Sequence, residues 1–78
     1  MEGLKLIVTF STTAGAMEME RLCRDEGVPG RLIPVPGSIS AGCGLCWMSG
    51  PESRAAVEEL TIRRRLPVDG IYELRLRR

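Results

Sequence analysis

The apolar period of this chain switches repeatedly between strand-like and helical, and that switching restricts the folds open to it. Residues 4 to 10, Leu-Lys-Leu-Ile-Val-Thr-Phe, read as a strand, with Leu4, Leu6, Val8 and Phe10 on one face and Lys5, Ile7 and Thr9 on the other. From about Thr12 to Glu26 the period becomes helical. Ala16, Met19, Leu22 and Cys23 make the buried stripe, and Glu18, Arg21 and Asp25 face water. The hydroxyls of Ser11-Thr12-Thr13 suit a helix start, Gly27 suits a C-cap, and Pro29 prevents resumption. Residues 30 to 35, Gly-Arg-Leu-Ile-Pro-Val, form a second strand; Pro34 has no N–H for a ladder, which predicts an edge position. A third strand runs from about Gly44 to Met48, with Leu45 and Trp47 alternating against Cys46 and Met48. Ser49-Gly50-Pro51-Glu52 opens a second helix, with Ala56, Val57, Leu60 and Thr61 as its inner stripe. Arg63-Arg64-Arg65 close it and Pro67 ends it. Val68-Asp69-Gly70 reads as a turn, and Ile71 to Leu76 as the last strand, with Tyr72, Leu74 and Leu76 on one face.

The element order is therefore strand, helix, strand, strand, helix, strand. With right-handed crossovers the compact solution is α+β, a ferredoxin-like βαββαβ sandwich. Its antiparallel four-stranded sheet has the order 4-1-3-2, with both helices on one face. The 78 residues make one domain, 1–78. A chain near this size buries only about 60% of its unfolded surface, so help from oligomerisation is expected. The helix-free face, with Ile7, Ile71, Cys46 and Met48, is the expected surface for a homodimer.

The chemistry concentrates between Pro36 and Trp47. Two of the three cysteines and the only tryptophan lie there. The first half is rich in Gly, Ser and Pro and must be loop; the second is apolar strand. Cys43 stands at the junction, with Gly42 and Gly44 leaving its sulfur uncrowded. The topology puts the strand that follows Cys43 beside the first strand, so Cys43 and Ser11-Thr12-Thr13 share one end of the sheet. Free N–H groups at a helix start favour an anion, and a thiolate there has a lowered pKa. The second helix runs toward the same end and is expected to bring Arg63-Arg64-Arg65 with it. Cys23, on a helix stripe, reads as a small core residue.

Charge and composition exclude several classes. The formal net charge is +1, which gives no global field for nucleic acid or a membrane surface. There is no histidine, so the commonest general base and metal ligand are missing. An odd number of cysteines argues against a secreted disulfide framework. The N-terminus opens directly into a strand without a signal-peptide pattern, and no apolar run is long enough to span a bilayer. The expected setting is cytoplasmic and reduced, with no cofactor and no metal.

Further motifs carry a resemblance. Thr9-Phe10-Ser11-Thr12-Thr13, Ala16-Met17, Met19-Glu20, Gly30-Arg31-Leu32-Ile33-Pro34-Val35-Pro36, Ile39-Ser40 and Cys43-Gly44 together resemble small bacterial proteins grouped as selenium/sulfur carrier-like. The resemblance extends from the first strand through Gly70-Ile71-Tyr72. It implies that the cysteine before the glycine, here Cys43, holds sulfur or selenium as a persulfide or its selenium analogue. It further implies a cysteine desulfurase or another sulfur or selenium relay protein as partner. Cys46 stands where the family is expected to have a small residue such as alanine.

Three other readings compete. Cys43-Gly-Leu-Cys46 is a CxxC, which suggests a dithiol redox module. In an extended segment, however, residues three apart point to opposite faces with Cα atoms about 10 Å apart, too far for a disulfide. The same pair is half a zinc site, with the other half to be supplied by a second copy. A non-catalytic interaction module using the helix-free face is the remaining alternative, since fold alone does not decide function.

Overall fold

The computed structural model of the protein describes residues 3–39 and 44–76, with Leu76 described by its backbone alone. Strand β1 is Gly3–Phe10, helix α1 Thr13–Glu26, strand β2 Arg31–Pro34, strand β3 Leu45–Ser49, helix α2 Arg54–Arg63 and strand β4 Val68–Leu76. A single 3₁₀ turn, Pro51–Ser53, leads into α2. The four strands form one antiparallel sheet in the order β2-β3-β1-β4, which is the predicted 4-1-3-2 read from the other edge. The protein is thus α+β, with β2 at an edge as Pro34 requires.

Alternation along β1 decides which side packs. Leu6, Val8 and Phe10 join Ala16, Met19, Leu22 and Cys23 of α1, Trp47 of β3, and Val57 and Leu60 of α2 in one buried cluster. Both helices therefore bury their stripes against the same set of strand side chains. The α1 stripe is the predicted one. Its start is the predicted one too: Thr12 is extended, and its Oγ1 accepts the N–H of Gly15 at 3.0 Å. Its end is closed by Gly27 at φ 75°, with the N–H of Val28 donating to the Cys23 carbonyl.

Four expectations need correction. Ala56 is exposed, and Ser53 takes its place beside Val57, Leu60 and Thr61 on the inner side of α2. The tight turn at Pro51–Ser53 starts the helix, and positions 53, 57, 60 and 61 form one helical stripe with Ala56 on its flank. Val68-Asp69-Gly70 is strand and not turn. Thr9 lies opposite Gly70 but Phe10 lies opposite Val68, so Asp69 is the extra residue of a β-bulge. Ile71 lies opposite Val8 and packs against the helix-side cluster, so it leaves the helix-free face. Tyr72 and Leu74, opposite Ile7 and Lys5, occupy that face instead. Finally, Ile7, Thr9 and Cys46 on the helix-free face are fully buried within the single chain. Tyr72 contributes to this cover: its hydroxyl lies 2.8 Å from where a Cβ on Gly70 would stand.

No helix of the described residues is long and apolar enough to cross a membrane.

Candidate functional site

Gly42 and Cys43 lie outside the described residues, as do Ser40 and Ala41. The frame on either side of them is described. The β1–β3 ladder ends with Thr9 opposite Cys46, so Gly44 and Ser11 both lie just past its end. The start of β3 and the start of α1 therefore share one end of the sheet, as the topology predicted. The N–H of Val35 donates to the Gly44 carbonyl at 3.1 Å, which continues the β2–β3 pairing by one step. Gly44 is exposed and sits at φ 52°, in the left-handed region where glycine is favoured.

The predicted hydroxyl residues have different duties. Ser11 gives both its N–H and its hydroxyl to the Pro67 carbonyl, at 2.9 and 3.3 Å. Thr12 is the N-cap already described. Thr13 opens the helix and is exposed. Gly15 and Ala16 give their N–H groups to the Thr12 side chain and carbonyl. That leaves the N–H groups of Thr13 and Ala14 without a partner among the described residues. Thus Ser11 and Thr12 are bound to structure, and of the free helix-start N–H groups expected from the sequence, those of Thr13 and Ala14 have no partner among the described residues. Pro67, read from the sequence only as the end of the second helix, also contacts the start of α1. Its ring fills the space over Gly15, where a Cβ would come within 2.5 Å, and it locks the α2–β4 connection against the first turn of α1.

The arginines are only partly as expected. Arg63 turns back along α2 to Glu59 and across to Glu26, with contacts of 3.0 and 2.9 Å. The hydrogen bond to Glu26, then the one to Glu59, holds its pKa well above the usual range. Arg63 therefore does not serve a thiolate near Gly44. Arg64 stands in the field of Glu18, whose carboxyl is held below its usual range chiefly by its hydrogen bond to Arg21. Arg65 forms the left-handed end of α2 at φ 53°.

The two described cysteines are both buried. Cys23 sits in the core, and burial first, then the Glu26 carboxylate, pushes its thiol up to about 11. Cys46 lies between Thr9 and Ile33 in the sheet, and its Sγ donates weakly to the Pro34 carbonyl at 4.0 Å. Neither presents a thiolate to solvent in this conformation. Among the described residues no group of three or more metal-ligating side chains could hold a metal ion.

The family model described as "Putative Se/S carrier protein-like" matches residues 5–73, from β1 into β4. No curated protein and no solved structure matches the chain.

Proposed function

The chain belongs to the Se/S carrier protein-like family, and from that premise we propose that Cys43 carries the sulfur or selenium. The Cys43 thiolate attacks the outer sulfur of a persulfide on a donor enzyme. A bond forms between Cys43 Sγ and that sulfur, the bond to the donor cysteine breaks, and the donor leaves as a thiolate. Attack by an acceptor thiolate on the outer sulfur of Cys43 then reverses the logic and frees Cys43. Each transfer is redox-neutral and needs no general base once the thiol is ionised.

One observation supports this reading above the others. Gly44, bonded directly to Cys43, is exposed at the sheet end where α1 begins, and the Thr13 and Ala14 N–H groups there are unpartnered among the described residues. Thr13 and the flanking Gly42 and Gly44 are the residues assigned to hold and expose the anion. Ser11 and Thr12 act by fixing the start of α1. The buried position of Cys46 favours single-thiol chemistry over a dithiol pair. The donor is a cysteine desulfurase or another relay protein in a reduced, cytoplasmic setting, and the sheet order with both helices on one core is ferredoxin-like. The helix-free face, now with Met48, Tyr72 and Leu74 as its half-buried apolar residues, is the surface for a homodimer.

Incubation with a cysteine desulfurase and cysteine, followed by intact mass, tests the reading. The natural chain gains one sulfur atom, Cys23→Ser and Cys46→Ser still gain it, and Cys43→Ser does not. A sulfur that persists on Cys43→Ser ends the assignment, and a loss of two hydrogens in place of the gain replaces it with the dithiol reading.

A further inference from the structure

The opposite end of the sheet carries a feature that the carrier reading does not use. A cavity of about 290 Å³ is lined by Lys5, Pro29, Gly30, Arg31, Met48, Ser49, Gly50 and Glu52. It lies past the start of β2 and the end of β3, so the length of β3, about 17 Å for five residues, separates it from Gly44. Two of its lining residues, Gly30 and Gly50, are glycines packed closely against their neighbours. A Cβ on Gly30 would come within 2.5 Å of the Met48 carbonyl and the Trp47 ring, and one on Gly50 would collide with the Glu52 carboxylate. Glu52 therefore folds back over Gly50. The register puts Lys5 and Arg31 on the same sheet face on either side of β3, with Arg31 opposite Met48 and Lys5 one step beyond the Leu6–Ser49 pair.

The polar groups of this cavity share one property. Lys5, Arg31 and Glu52 form no ion pair and no side-chain hydrogen bond among the described residues, which holds also for the exposed Arg24, Arg64, Arg65 and Arg75 but not for Arg21, Arg54 and Arg63. The hydroxyl of Ser49, a lining residue only 4% exposed that lies opposite Leu6, is buried with no hydrogen-bond partner among the described residues. Buried polar atoms without partners are uncommon and call for an explanation. Two cations and one carboxylate around one small space leave it net positive, which repels a simple cation and admits an anion but leaves Glu52 without a partner. A molecule carrying both signs satisfies all three. The volume is at the small end of ligand pockets, which begin near about 300 Å³.

We propose that this cavity binds a small zwitterion of the α-amino-acid class, its carboxylate between Lys5 and Arg31 and its ammonium against Glu52. The side chain of the ligand would lie toward Met48. This site is independent of the chemistry at Cys43, and its occupation needs no sulfur on the protein.

The test uses the intact chain labelled with ¹⁵N. The amides of the lining residues Gly30, Ser49 and Gly50 report on the cavity without any mutation. L-alanine is titrated as the zwitterion, acetate as the anion alone and methylammonium as the cation alone. L-alanine is expected to shift these signals saturably and more tightly than either single-charge probe. Arg31→Gln and Lys5→Gln should each weaken it about tenfold, the loss of one charge-assisted contact. Glu52→Gln should weaken L-alanine by a similar factor while leaving acetate no weaker. Cys43→Ser should bind L-alanine unchanged, which separates this proposal from the carrier reading. No saturable shift with any probe, acetate binding as tightly as L-alanine, or Glu52→Gln binding L-alanine like the natural chain overturns it.

Discussion

Arg65 stands where helix ends usually place glycine. The N–H of Leu66 donates to the Thr61 carbonyl and that of Arg65 to Ile62, which is the same closing pattern that Gly27 completes on α1. A left-handed residue with a Cβ costs roughly 1–2 kcal/mol, partly offset by the larger entropy that glycine loses on folding. Arg65→Gly should therefore raise the unfolding free energy by about 0.5–1 kcal/mol in urea titration, and Gly27→Ala should lower it by a comparable amount. At Cys23 the sign follows from the raised thiol pKa. The fold favours the protonated thiol, so this contribution is intact below its ordinary value of 9.0 and is lost as pH rises through about 11. Cys23→Ala should flatten the alkaline limb of the stability profile. Native alkylation at neutral pH should reach Cys23 last. Its place on the α1 stripe was legible from helical spacing, because a 3.6-residue period fixes a face. The left-handed Arg65 was not legible, since no rule makes arginine preferred there.

At the level of elements, α1 was readable nearly to the residue because its cap, stripe and terminating glycine agree. α2 was readable as a helix but not in phase, because the turn at Pro51–Ser53 sets a stripe that ordinary spacing from Ala56 misses. Ala56→Glu should then change stability by no more than about 0.5 kcal/mol, as for an ordinary surface site. Leu60→Ala, at 1% exposure, should cost about 2–5 kcal/mol and can unfold so small a chain at room temperature. Thermal melts of the two variants check this. The bulge at Asp69 was misread as a turn for a similar reason. Val-Asp-Gly has turn composition, and only the pairing of Thr9 with Gly70 shows that the strand continues through it.

For the whole molecule, strand order followed from the element sequence and Pro34, because few topologies satisfy both. Of the candidate site only the frame was legible in outline: the convergence of Gly44 and the start of α1 follows from that order. Which donors are open was not legible, since Ser11 and Thr12 are claimed by Pro67 and Gly15 through contacts more than fifty positions or one helical turn away. Self-association is expected to appear as a dimer in sedimentation at high micromolar concentration. Met48→Lys on the helix-free face should return it to monomer, and a natural chain that sediments as a monomer removes that surface from consideration.

The two rims of the sheet are unequal. β2 offers four residues and ends in Pro34, whereas β4 offers nine, Val68–Leu76. A proline and a short rim discourage strand addition; a long rim invites it. Growth by strand addition consequently has one working end. Two copies that met rim to rim along β4 would present only their β2 rims outward, and a third copy would find little to template on. For strand addition alone the asymmetry acts as a chain terminator: a pair joined along β4 has no second long rim to extend.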